Sequence, residues 1–213
     1  MSPSKLHSGV SDAEVLKHHE FDKNLVERVG FRKRKLPLAI VEPDPAWPAR
    51  YAEHEAAILS ALGPKALELN HVGSTSVPGL PAKDVIDIDL TVADVDDEDD
   101  YVPALEAAGF QFKHREPFWH GHRFFCTEGP NWCNLHVWGP NCPEALRHIL
   151  FRDWLREHPD DCEAYVAAKR SAADATNAAG EDVMAYNYRK ENFIWGLLEL
   201  VLNIYVKNRN SSQ

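Results

Sequence analysis

Two carboxylates stand two residues apart in Val85-Ile86-Asp87-Ile88-Asp89-Leu90. Successive side chains of a strand alternate faces, so Asp87 and Asp89 share one side while Ile86, Ile88 and Leu90 take the other. Like charges this close repel, and a divalent cation between them relieves the repulsion. Hard oxygen ligands favour magnesium, with manganese as its substitute. An isolated Asp-x-Asp is more often the wet face of an edge strand, but a loop upstream shifts that balance. In Gly73-Ser74-Thr75-Ser76-Val77-Pro78-Gly79-Leu80-Pro81, Gly73 permits a positive φ and close backbone approach. Ser74, Thr75 and Ser76 add hydroxyls to amide donors, a combination suited to phosphate oxygens. Alone, the loop reads as an ordinary connection; ahead of Asp-x-Asp on consecutive strands, it reads as a phosphate cradle meeting a metal site.

Positioning these groups requires a strand over residues 67–72 entering the loop and a second, over 85–92, leaving it. Before them, residues 38–41 form a short apolar run. Trp47, Tyr51, Ile58 and Leu62 recur at near-helical spacing, predicting a helix over 45–62 that Gly63-Pro64 stops. Acidic residues from Asp94 to Asp100 suit the positive end of a helix running to Ala108, closed by Gly109. Three strands are expected near 110–114, 121–127 and 133–138, then helices from Pro143, Asp160 and Gly180. At the N-terminus, Ser11 and Glu14 make a capping box. Val15, Phe21, Leu25, Val26 and Val29 follow in a loosely helical pattern ending at Gly30. The alternation predicts an α/β fold: residues 1–37 a helical extension with a basic linker, 38–206 the main domain, and 207–213 a polar tail. The last helix, with Phe193, Ile194, Leu197, Leu198, Val201 and Ile204, closes the core or pairs with a second subunit.

The chain of 213 residues is 44% hydrophobic and 26% charged, with mean hydropathy −0.41, enough to bury its own core without staples. Its longest mostly apolar stretch, residues 193–206, contains Glu199 and Asn203 and falls short of the roughly 20 residues a bilayer span needs. The first residues lack a secretory apolar run, so the expected location is the cytoplasm. Lys plus Arg number 23 against 33 Asp plus Glu, a net charge of −10, which argues against broad phosphate-backbone binding. Arg32-Lys33-Arg34-Lys35 reads as a solvated linker rather than a nucleic-acid address. Cys126, Cys133, Cys142 and Cys162 match neither zinc-ligand nor dithiol spacing and read as reduced, structural residues. His120 and His122 could share a strand face and chelate a metal, but without a spaced third ligand a hairpin tip is the simpler reading. Trp119, Phe124, Phe125 and Trp138 read as core.

The loop with its Asp-x-Asp resembles the nucleotidyltransferase superfamily with the polymerase-beta-type fold and, more narrowly, the GrpB family. The matching segments are His71-Val72-Gly73-Ser74-Thr75-Ser76-Val77-Pro78-Gly79-Leu80, Lys83, Ile86-Asp87-Ile88, Arg123-Phe124-Phe125, Leu135-His136-Val137, Leu150-Phe151-Arg152-Asp153 and Tyr165 through Lys169-Arg170. The resemblance covers roughly residues 38–200. It implies a mixed β-sheet flanked by helices, a nucleoside triphosphate such as ATP received by Gly73 and Ser74, and magnesium held by Asp87 and Asp89. Such enzymes usually place a third carboxylate on a later strand. Leu135-His136-Val137 occupies that strand here, leaving His136 as a general base, a single-metal ligand or a hydrogen-bonded core residue. Lys83, Arg123, Arg152, Lys169 and Lys190 lie within the region of resemblance and are candidates to neutralise triphosphate charge.

The leading expectation is therefore magnesium-dependent transfer of a nucleotidyl group to a small-molecule acceptor. An ATP-dependent amide ligase working through an acyl-adenylate uses the same metal chemistry. A nucleotide- or coenzyme-binding module without turnover is the reading of another class. No G-x-x-x-x-G-K-[ST] or G-x-S-x-G sequence occurs, which sets aside a Walker-type kinase and a serine hydrolase.

Overall fold

Strand β3 (Ile86–Thr91) is the axis of the molecule: it runs antiparallel to β2 (Glu68–Val72) and parallel to β6 (Cys133–Trp138). The computed structural model describes residues 5–19, 22–33 and 38–211. β4 (Gln111–Glu116) and β5 (His122–Cys126) form a hairpin that extends the sheet beyond β6, and the two-residue β1 (Glu27–Arg28) closes that edge. The order is β1-β4-β5-β6-β3-β2, with β3–β6 the one parallel pair among the described strands. A parallel pair needs a long crossover. Here it comprises α3 (Val102–Ala107) and the β4–β5 hairpin.

One face of the sheet is apolar. Ile86, Ile88, Leu90, Leu135, Val137 and Phe125 are fully buried there and pack with Ile58 and Leu62 of α2 (Trp47–Leu62) and Leu105 of α3. The other face carries Asn70, Asp87, Asp89, Asn134 and His136, which share a side by register. It looks toward α4 (Pro143–Glu157), α5 (Pro159–Ala178) and α6 (Val183–Ser211), whose His148, Lys169 and Lys190 act on its carboxylates. A second cluster, Val10, Val15, Leu146, Leu198 and Leu202, ties the N-terminal segment to α4 and α6. Leu197, Leu198 and Val201 of α6 are buried within the chain. No helix among the described residues is long and apolar enough to cross a membrane.

The main elements fall where the periodicity predicts, with three differences. The capping box at Ser11 and Glu14 forms, but α1 (Asp12–Leu16) stops after five residues. The pattern to Gly30 is instead a 3-10 turn and β1, because Val29 N and Gly30 N donate to Lys113 O at 2.9 and 3.0 Å and draw this segment onto the sheet edge. Phe21, Arg34 and Lys35 lie outside the described residues. The expected helix from Asp94 begins only at Val102, after a 3-10 turn at Glu98–Asp100. The carboxylates of Asp96 and Glu98 are drawn to Arg123, and Glu98 also to Arg115. Finally, α6 runs through Lys207 to Ser211, most of the segment read as a polar tail. The four cysteines are free thiols, three of them buried.

Candidate functional site

The loop after β2 is shaped by contact with the strand it precedes. Gly73 has φ +67°, and a Cβ there would come 2.9 Å from the Cβ of Asp87 and closer still to its Oδ2. Only glycine combines that backbone conformation with so close an approach. Residues Ser74–Ser76 make one 3-10 turn. Thr75 Oγ1 donates to Val85 O (3.1 Å) and lies 3.0 Å from His71 Nε2; Ser76 Oγ donates to Gly73 O (2.5 Å). These two buried hydroxyls therefore shape the turn, whereas the expectation put them on a phosphate. The Ser74 hydroxyl meets Tyr165 of α5.

Asp87 stands half-buried beside this turn. Asn134 Nδ2 on the neighbouring strand donates to its Oδ1 at 2.6 Å. Burial pushes the carboxyl upward, against that hydrogen bond and the charges of Lys83 and Lys190. Three lysines from three parts of the chain converge here. Burial, then the charges of its two fellow lysines, pulls Lys169 down to about 7; burial and Lys83 bring Lys190 to about 8. Burial lowers Lys83 too, against the attraction of Asp87. Lys83 and Lys190 lie over the Tyr186 ring at 5.2 and 4.7 Å, Lys169 over Tyr165 at 5.1 Å, and Lys169 Nζ donates to Pro81 O at 2.8 Å. The Tyr186 hydroxyl is buried without a hydrogen-bond partner among the described residues. Lys83, Lys190 and a Lys169 about half protonated near pH 7 share one carboxylate, so the site carries positive charge that has lost water and that an anion would satisfy.

Asp89 has a different environment. It is 2% exposed, Trp138 Nε1 donates to its Oδ1 at 3.0 Å, and His148 Nδ1 lies 2.8 Å from its Oδ2. Burial disfavours the His148 imidazolium, but Asp89 outweighs it and, with Glu144 and Asp87, raises the group to about 9. His148 is therefore charged at neutral pH and neutralises Asp89. His136 sits opposite Asp89 in the β3–β6 register. Burial, then His122, holds it well below the ordinary histidine value and thus neutral, and its Nδ1 lies 3.0 Å from His122 Nε2.

The donor set fits a hard cation unevenly. Asp87 presents a half-buried carboxylate on the lysine side, whereas Asp89 can join it only if His148 gives up Oδ2. His148 escaped the sequence reading, and Trp138, read there as core, is buried but also donates to Asp89. The available signal was helical spacing, since His148 stands four residues before Arg152 and four after Glu144 on one face of α4.

Two expected phosphate ligands lie elsewhere. Arg123 pairs in register with Val137, which puts it on the face opposite Asp87. It is 5% exposed and donates to Glu98, Asp96 and Gly121 O. This is a correction with a simple cause: a single-residue position on β5 decides the face. Arg152 donates to Asp153 (2.7 Å) and His71 O (3.0 Å), bracing β2 against α4.

A six-stranded mixed sheet flanked by helices, with a Gly-Ser turn against two same-face aspartates, is nucleotidyltransferase-like in architecture. The chain belongs to the GrpB family: the family model described as "GrpB protein" matches residues 37–199. A UPF0157 protein of Halalkalibacterium halodurans is 47% identical over 137 residues, 64% of this chain and 69% of that one. The crystal structure of the conserved protein GrpB from Enterococcus faecalis superposes with a TM-score of 0.68 at 30% identity, covering 78% of this chain and 99% of that one. A dephospho-CoA kinase of Mycolicibacterium paratuberculosis is 33% identical over 182 residues, 74% of this chain but 44% of its own.

Proposed function

We propose that this protein binds a nucleoside triphosphate, ATP in the first instance, and transfers its nucleotidyl group to a small-molecule acceptor. The observation that supports this reading is the convergence of Lys83, Lys169 and Lys190 on Asp87, beside the Gly73-Ser74 turn. The lysines bind and orient the polyphosphate. Asp87, with Asp89 once His148 withdraws, holds magnesium or manganese. When bound, the cation neutralises phosphate charge and aligns the α-phosphate. The acceptor oxygen bonds to the α-phosphorus as the bond to the β-phosphate oxygen breaks, so pyrophosphate departs. The acceptor's proton needs a neutral base, and burial keeps His136 in its proton-accepting form.

The dephospho-CoA kinase similarity fits a protein that handles nucleotides, but phosphoryl transfer by a Walker loop is not carried over, since the chain lacks that sequence. A second reading is favoured by one observation: the His148–Asp89 pair occupies the second carboxylate, as a binding module without turnover would allow. One experiment separates them. Full-length protein is incubated with ATP, magnesium and a panel of hydroxyl, carboxylate and amine compounds, and pyrophosphate is followed while tripolyphosphate and ATP are tested by thermal shift. Pyrophosphate with a stable nucleotidylated acceptor, lost in Asp87→Asn, is the expected result. AMP with a new amide indicates ligation. A magnesium-independent shift without pyrophosphate indicates a module, and no shift with either anion sinks the nucleotide reading.

A further inference from the structure

The β4–β5 hairpin assembles a second constellation that the Asp87 site does not use. Along β4, Phe112 pairs with the buried Phe125, but the next pair is His114 with Phe124, so Lys113 is an extra residue in the ladder. This bulge turns His114 and Glu116 away from the apolar face that Phe112 occupies and onto the face of His122 and His136. A period-two reading of Phe110 to Glu116 puts both residues on the side of Phe112, which is why the ligand absent beside His122 in sequence appears only in the folded hairpin. Across the pair, Glu116 faces His122.

Glu116 Oε2 lies 2.5 Å from His122 Nδ1 and 3.5 Å from His114 Nε2, and the three ligand atoms all fall within 4.8 Å of one another. We propose that His114 Nε2, Glu116 Oε2 and His122 Nδ1 form a site for a zinc-class divalent cation. Two imidazoles and one carboxylate are ligands for such an ion rather than for magnesium, whose preference is for oxygen. Ligand bonds of about 2.0–2.2 Å are reached by small side-chain shifts from this arrangement.

Protonation favours the ion as well. Hydrogen bonds from His114 and His122 overcome burial and hold Glu116 at about 2, so it is ionised, while burial outweighs Glu116 and keeps His122 on the neutral side of its ordinary value. Metal on Nδ1 leaves His122 with its proton on Nε2, and His136 Nδ1, 3.0 Å away, accepts it, so the base role proposed for His136 belongs to the protein with this site empty. An outer partner of this kind fixes the orientation of a ligating histidine. The His122 side chain is 2% and the Glu116 side chain 9% exposed, whereas the His114 side chain is 22% exposed. The ion is thus reached from the His114 side, where a water molecule completes a tetrahedral shell.

The test uses full-length protein stripped by chelator and titrated with cobalt(II), then zinc. Expected is one equivalent of cobalt per chain with the visible absorption of a tetrahedral ion, displaced by zinc and not by magnesium. Zinc affinity should fall by about tenfold or more in His114→Ala and in Glu116→Gln and stay unchanged in Asp87→Asn. Because His114 is the most exposed ligand, its variant keeps the fold, as circular dichroism checks, even if Glu116→Gln does not. Absence of a zinc-displaceable tetrahedral band in the unaltered protein overturns the proposal, as does a band that His114→Ala leaves intact. The readout is the metal alone, so it stands or falls separately from nucleotide transfer.

Discussion

His148 Nδ1 lies 2.8 Å from Asp89 Oδ2, so a charged side chain of α4 does for the second aspartate what a cation was expected to do. The pair also sets a pH dependence. The folded His148 titrates near 9 against an ordinary 6.5. Its contribution is therefore complete below about pH 6.5 and is lost as pH rises toward 9. Because Lys169 and Lys190 act in the opposite sense over part of this range, the pair shows as a difference: the excess stability of the unaltered protein over His148→Gln, from urea unfolding, should shrink across that window by roughly 2–4 kcal/mol. An equal slope in both proteins would show that the pair carries no such linkage.

The lysine cluster has the opposite sign. Lys169 and Lys190 titrate near 7 and 8 in the fold against an ordinary 10.5, so keeping them charged at neutral pH costs stability, and the cost is relieved as pH rises from their folded toward their unfolded values. Lys190→Met should raise unfolding stability at pH 7 by about 1–3 kcal/mol while reducing the thermal shift given by tripolyphosphate. A variant that loses stability and keeps the full shift would remove the anion site.

Gly73→Ala tests the close approach of the turn to Asp87. The added methyl meets Asp87 in a backbone conformation that alanine disfavours, and the expected loss is about 2–3 kcal/mol of stability. A thermal unfolding curve that superposes on that of the unaltered protein would mean the turn relaxes freely.

Arg123→Ala should separate structure from binding. It removes one of the two guanidinium partners of Glu98, which keeps Arg115, together with the bonds to Asp96 and Gly121 O, with an expected cost of about 1–3 kcal/mol. Affinity for ATP measured by calorimetry should be unchanged, and a large loss of affinity in a folded variant would return Arg123 to the phosphate site.

The sequence displayed the strands, the longer helices and the pairing of turn with Asp-x-Asp because those signals are local: alternation, helical spacing and glycine at a positive φ. Gly73 shows it well, since both its backbone angle and its contact with Asp87 follow from a turn that joins neighbouring strands. The N-terminal pattern misled because β1 is held by Lys113 O, a partner remote in the chain. Likewise, the helix expected from Asp94 yields to Arg115 and Arg123, which claim Glu98 from other strands.

By itself, the chain determined that Asp87 and Asp89 share a face, that a glycine-serine turn precedes them and that Lys83 lies nearby, because each is a matter of few residues and fixed strand geometry. Only the tertiary structure decided what those groups meet. Helix packing brought His148 to Asp89 and Lys169 and Lys190 to Asp87, register sent Arg123 to the far side, and one bulge at Lys113 turned His114 and Glu116 toward His122. Which charges become neighbours depends on contacts between segments far apart in the chain, and their burial, which sets the proton and ion affinities, exists only once the layers close.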